Sequence, residues 1–157
     1  MKILFILIVI LTPVAATSSS GGTVLYRQKS DPFYRVPSSK RAELKLRLDK
    51  FVNYHATQEW DKVYDLLSNQ YKKDQGILTK DTFLEKKFYS RLNKFVPASV
   101  EKLGGNRWWI RGCGTFEVSG SMDTLVEAYY ENGDWYFSNF GKFPYGCIEC
   151  TALNCSP

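Results

Sequence analysis

The chain has 157 residues, 44% hydrophobic and 15% aromatic, with a formal net charge of +5 and a single histidine. That length suits one ordinary domain behind a short leader, and a lone histidine excludes a histidine-rich metal site. The basic excess is mild and spread out: it suits acidic wall polymers, lipid headgroups or an acidic partner, and it is too weak a signal for nucleic acid.

Residues 1–16 read as a secretory signal, with Lys2 ahead of the apolar run Ile3 to Ile10 and small residues at Val14 and Ala16. Cleavage after Ala16 is expected, which makes the mature chain extracytoplasmic, either secreted or periplasmic. The run is interrupted by Pro13 and falls short of the roughly 20 apolar residues of a bilayer span, so no transmembrane segment is expected in the mature chain. An uncleaved anchor is the alternative. Residues 17–30 open with TSSSGGTV, which has nothing to bury, and are assigned to a flexible linker. The folded domain is then expected over residues 31–143, with a cysteine-rich tail over residues 144–157.

Pro37 and Ser38 open a first helix in which Leu44, Leu48, Phe51, Val52 and His55 share one face. Thr57 is read as the cap of a second helix carrying Trp60, Val63, Tyr64, Leu67 and Tyr71, ended by Gly76. Thr79 caps a third, with Leu78 and Phe83 spaced as a hydrophobic staple, running to about Arg91. Lysines and arginines between residues 40 and 94 fall mostly on the polar sides of these helices, as solvated faces do.

Beyond Pro97 the period becomes two. Ala98 to Leu103 is a short strand and Gly104-Gly105 a turn. Arg107 to Val118 is a long strand with Trp108, Ile110, Phe116 and Val118 on one face. Gly112 and Gly114 on that face are taken as the point of strongest curvature. Asn132-Gly133 joins two alternating runs as a hairpin, setting Tyr130 opposite Trp135, Ala128 opposite Phe137 and Val126 opposite Asn139. Matching apolar faces with the preceding strand then sets Phe116 opposite Val126, Gly114 opposite Ala128, Gly112 opposite Tyr130 and Arg111 opposite Glu131, with Cys113 beside Tyr129.

Cys113, Cys147, Cys150 and Cys155 are an even number in an exported chain, so two disulfides are expected. One of the three tail cysteines must reach Cys113 if all four pair, stapling the tail over the outer face of the sheet. Zinc ligation by the same thiols and a redox role for Cys147 and Cys150 are the weaker readings.

The segments TQEWDKVYDLL, ILTKDTF and ENGDWYF resemble the second helix, third-helix entry and last hairpin of the nuclear transport factor 2-like (SnoaL-like, cystatin-like) superfamily, over roughly residues 38–140. The resemblance implies an α+β cone, three helices packed into the concave face of a strongly curved antiparallel sheet. Such a cone can hold a small apolar molecule at its open end, as in ketosteroid isomerases, scytalone dehydratases and SnoaL-like cyclases, and members often pair through the sheet, so a homodimer is left open. Those enzymes place acids and histidines inside the cone. Here the inward set is His55, Trp60, Tyr64, Trp108, Phe116, Tyr130, Trp135, Phe137 and Asn139, with no carboxylate among them.

Rings at helical or strand spacing are first of all core, and His55 at the end of an apolar stripe is first of all packed. The preferred functional reading is an exported, non-catalytic module that binds a small apolar ligand or a protein partner at the cone mouth, with no cofactor. One alternative is an isomerase, dehydratase or cyclase using His55 as base with Tyr64 or Tyr130 as donor. Another is a subunit of an envelope assembly tethered by the linker.

Overall fold

The computed structural model describes residues 31–86 and 90–142; the leader, the linker and the tail with Cys147, Cys150 and Cys155 lie outside the described residues. Four helices precede the sheet, where three were expected: α1 (Ser38–Ala56), α2 (Trp60–Asp65), α3 (Asn69–Asp74) and α4 (Lys80–Glu85). The strands are β1 (Leu92–Gly104), β2 (Arg107–Phe116), β3 (Gly120–Glu131), β4 (Asp134–Phe137) and the short β5 (Gly141–Lys142).

Helix α1 begins where Pro37 and Ser38 placed it, and it buries Leu44, Leu48, Phe51 and His55. Its end differs from expectation. Thr57 closes α1 rather than opening α2, its hydroxyl donating to the Asn53 carbonyl at 2.9 Å. Gln58 then takes a left-handed φ of 58°, turning the chain into Trp60.

The long second helix is broken in two. Leu66 to Ser68 leave the helix because their backbone is taken by β4: Phe137 N–H donates to the Leu66 carbonyl at 2.9 Å and Ser68 N–H to the Phe137 carbonyl at 2.8 Å. Ser68 then caps α3 through its side chain, accepting from Tyr71 N–H at 2.9 Å. Thr79 caps α4 as its position predicts, yet Leu78 is 69% exposed and forms no buried staple.

The sheet is an antiparallel meander in the order β1-β2-β3-β4, with β5 also paired to β3. It is open, and this overturns both the strongly curved cone and the resemblance to the nuclear transport factor 2-like superfamily that implied it. The glycines expected to bend it, Gly112 and Gly114, are instead filled by close neighbours, and the register between β2 and β3 departs from expectation as well. Phe116 meets Gly120 rather than Val126, six positions away, because Gly120 at φ 68° permits a tight turn where a wide loop was expected. An even displacement keeps the same faces together, so the apolar pairs become Ile110 with Val126 and Trp108 with Ala128 in place of Phe116 with Val126 and Gly114 with Ala128.

The displacement moves every polar pair. Arg111 sits opposite Leu125, and Cys113 opposite Asp123 rather than beside Tyr129. Cys113 is buried and disulfide-bonded. A disulfide-linked tail crossing the sheet is nevertheless no part of the described fold, because residues 144–157 lie outside it. Gly112 and Gly114 serve close approach rather than curvature: a Cβ on Gly112 would strike the Val96 carbonyl and stand 2.9 Å from Pro97 Cα, and one on Gly114 would stand 3.0 Å from Leu92 Cδ1.

The last hairpin forms as read, with Asn132 and Gly133 both at positive φ, Tyr130 opposite Trp135 and Ala128 opposite Phe137. Its ladder stops one step later. Ser138 Oγ accepts from Glu127 N–H at 2.9 Å in place of a backbone carbonyl, so Asn139 never comes opposite Val126. The core lies between α1 and the sheet, where Phe51 stacks on Phe137 at 4.9 Å and on Phe140 at 5.2 Å.

Candidate ligand groove

The end of α1 and the turn at Gln58 set Trp60 at the start of α2, while the Thr79 cap orients α4 so that Phe83 points inward. Across from them, the start of β1 and the end of β2 are tied by Glu117 N–H donating to the Arg91 carbonyl at 3.0 Å. Between these elements lies a groove of about 470 Å³. Trp60, Phe83, Leu84 and Val118 form its apolar wall, and Gln58, Ser90, Arg91 and Glu117 its polar one.

Val118, expected on the apolar face of β2, lies beyond the strand and is 88% exposed on the groove rim. Arg91 is positioned by both layers: Nε donates to the Ala56 carbonyl at 2.8 Å, at the electronegative end of α1, and Nη1 lies 3.7 Å from Glu117 Oε1. Ser90 Oγ is buried and finds no hydrogen-bond partner among the described residues.

His55 lies behind Trp60, outside the groove. It is 1% exposed, with ring centroids 4.9 Å from Phe51, 5.3 Å from Trp60 and 5.2 Å from Phe140. Neither ring nitrogen has a hydrogen-bond partner among the described residues, and burial pushes its pKa down to about 3. The lowered pKa leaves this imidazole neutral at physiological pH, and the surrounding rings seal it from solvent.

The remaining expected site residues separate into packed clusters. Trp108, Trp135 and Tyr130 stack edge to face at 4.8 and 5.1 Å, with Lys40 Nζ 3.4 Å over the Tyr130 ring. Tyr64 packs against Phe83 and donates its hydroxyl to the Leu78 carbonyl at 2.8 Å. Phe116 and Phe137 are buried in the core. Trp60 alone of the nine lines the 470 Å³ groove. Sequence patterning passes over Ser90, Arg91 and Glu117 because they stand where periodicity stops, at strand ends; the only sequence signal for them is that Arg91 and Glu117 flank the long strands.

Asn139 lines a second groove of about 390 Å³ on the other side of the sheet, with Tyr71, Asp74, Gln75, Arg107, Glu127 and Tyr129. Its polar groups satisfy one another. Glu127 accepts from Tyr129 Oη at 2.5 Å, Arg107 Nη2 at 2.8 Å and Trp109 Nε1 at 3.2 Å. Burial works to raise the Glu127 carboxyl, and these three donors outweigh it and hold it below the usual carboxylate range. Burial and the adjoining carboxylate together raise the Tyr129 hydroxyl.

Among the described residues no cluster of three His, Cys, Asp or Glu side chains could hold a metal ion, and no helix is long and apolar enough to cross a membrane. No protein-family model matches the chain, and no curated protein matches it.

Proposed function

We propose that the protein is an exported, non-catalytic module that binds a small apolar ligand in the groove between α2, α4 and the joined ends of β1 and β2. The observation that carries the reading is the groove itself. About 470 Å³ walled by Trp60, Phe83, Leu84 and Val118 is within the range of small-molecule sites, roughly 300–1,000 Å³. The sealed, neutral His55 supports binding over turnover, since a general base has to come within hydrogen-bond reach of its proton. The leader pattern of residues 1–16 supports export.

Nile red, an uncharged apolar dye, tests the site independently of any headgroup. It is expected to bind with a fluorescence rise and to quench Trp60. Trp60→Ala removes one wall and should weaken binding about tenfold, as loss of about 1.4 kcal/mol of apolar contact would. Equal binding by wild type and variant, or none by either, would reject the groove as the site.

A further inference from the structure

We infer that the groove selects an amphiphile whose polar end is a single carboxylate, held by Arg91 and Ser90 while its chain lies against Trp60 and Phe83. The inference rests on the binding reading above and goes further by naming the chemical class of the ligand.

Arg91 is the one cation among the described lining residues. Its guanidinium is held in place, because Nε donates to the Ala56 carbonyl and the Arg91 carbonyl, just ahead of β1, accepts from Glu117 N–H. A guanidinium held in a fixed orientation meets a planar carboxylate better than a flexible ammonium would.

Ser90 Oγ adds a buried hydroxyl without a partner among the described residues, and leaving such a group unpaired costs about 1–3 kcal/mol. A ligand oxygen would satisfy it. Gln58 brings a side-chain amide that can donate as well.

The opposing group is Glu117, the single acidic residue among the described lining residues. Its carboxylate is 3.7 Å from Arg91 Nη1, beyond hydrogen-bonding distance, and its side chain is 53% exposed. An exposed pair at that separation is worth little, about 0–1 kcal/mol, so an incoming carboxylate can displace Glu117 into water. Glu117 thereby sets a ceiling on affinity and discriminates against a dianion, which would meet it at close range. An ammonium headgroup would instead face Arg91, with only the exposed Glu117 to offset it.

Displacement of Nile red from the full mature chain by decanoate, decanol and decyltrimethylammonium, each kept below micelle formation, tests the inference. Decanoate should displace the dye at about tenfold lower concentration than the other two, the equivalent of one charge-assisted contact. Arg91→Gln should abolish that advantage, and Glu117→Gln, which leaves the Ala56 anchor intact, should enlarge it. Equal displacement by decanol, or a preference for decanoate that survives Arg91→Gln, would overturn the carboxylate assignment while Trp60-dependent dye binding still supported the groove. Should Arg91→Gln fail to fold, Glu117→Gln decides alone: weaker or unchanged decanoate binding overturns the assignment. Absence of Nile red binding would overturn both readings together.

Discussion

His55 shows how burial changes what a residue can do. The imidazole is packed edge-on against Phe51, Trp60 and Phe140 with no polar partner among the described residues, so protonating it in place would strand a charge among rings. Its folded pKa of about 3 lies below the unfolded value of 6.5, so the unfolded chain binds the extra proton between those values. The stability that the neutral ring contributes is therefore fully present above about pH 6.5 and is lost as the pH falls toward the folded pKa. Urea unfolding at pH 7.0, 6.0 and 5.0 should show stability decreasing by up to about 1.4 kcal/mol per pH unit, with a shallower slope in His55→Phe. An identical slope in the variant would place the acid sensitivity elsewhere. The sequence carried the packing role, since His55 ends the stripe of Leu44, Leu48 and Phe51, but it gave no sign that both nitrogens go unpartnered.

At the scale of elements, local chemistry was legible and pairing was not. The α1 stripe, the Thr79 cap, the Gly76 stop and the Asn132-Gly133 turn each depend on a few adjacent residues, and each appears where the sequence placed it. The β2–β3 register depends on how tightly residues 117–120 turn, and alternation repeats every two residues, so any even slip satisfies the same pattern. The break at Leu66 was hidden for a related reason, because helical spacing continues through Leu67 and Tyr71 while the competing bond comes from distant Phe137. Gly112 offers a measurable consequence of the observed register. A methyl there would collide with the Val96 carbonyl, backbone that cannot rotate aside, in the interior of the β1–β2 ladder. Gly112→Ala should destabilise the protein by about 2 kcal/mol or more, read from the denaturant midpoint, whereas the same change at exposed Gly105 should cost about 1 kcal/mol through its left-handed φ of 51°. Equal effects at the two positions would contradict the close approach at Gly112.

Across the whole molecule the helical layer and the sheet share one core rather than two. Phe51 from α1 stacks on Phe137 and Phe140, and Arg47 Nε reaches Asp134 Oδ1 at 2.7 Å. Far-ultraviolet dichroism, dominated by the helices, and the fluorescence of a Trp60→Phe variant, which keeps only Trp108, Trp109 and Trp135 in the sheet, should therefore follow one coincident unfolding transition. Separate midpoints would show that the layers are independent. The candidate groove belongs to this scale, since α2, α4 and the segments just before β1 and just after β2 each supply part of its lining, which explains why no single stretch of sequence announced it.

The short run at Leu66 to Ser68 also bears on how copies of the chain can meet. By taking the outward hydrogen bonds of Phe137, it closes the β4 margin of the sheet against a stranger's backbone. The opposite margin, β1, is the one left unpaired among the described residues, and it carries Pro97, which has no N–H to offer, between Lys94 and Lys102. Both flanks thus resist runaway polymerisation by ribbon-to-ribbon zipping, and any self-association is steered toward contacts between side chains.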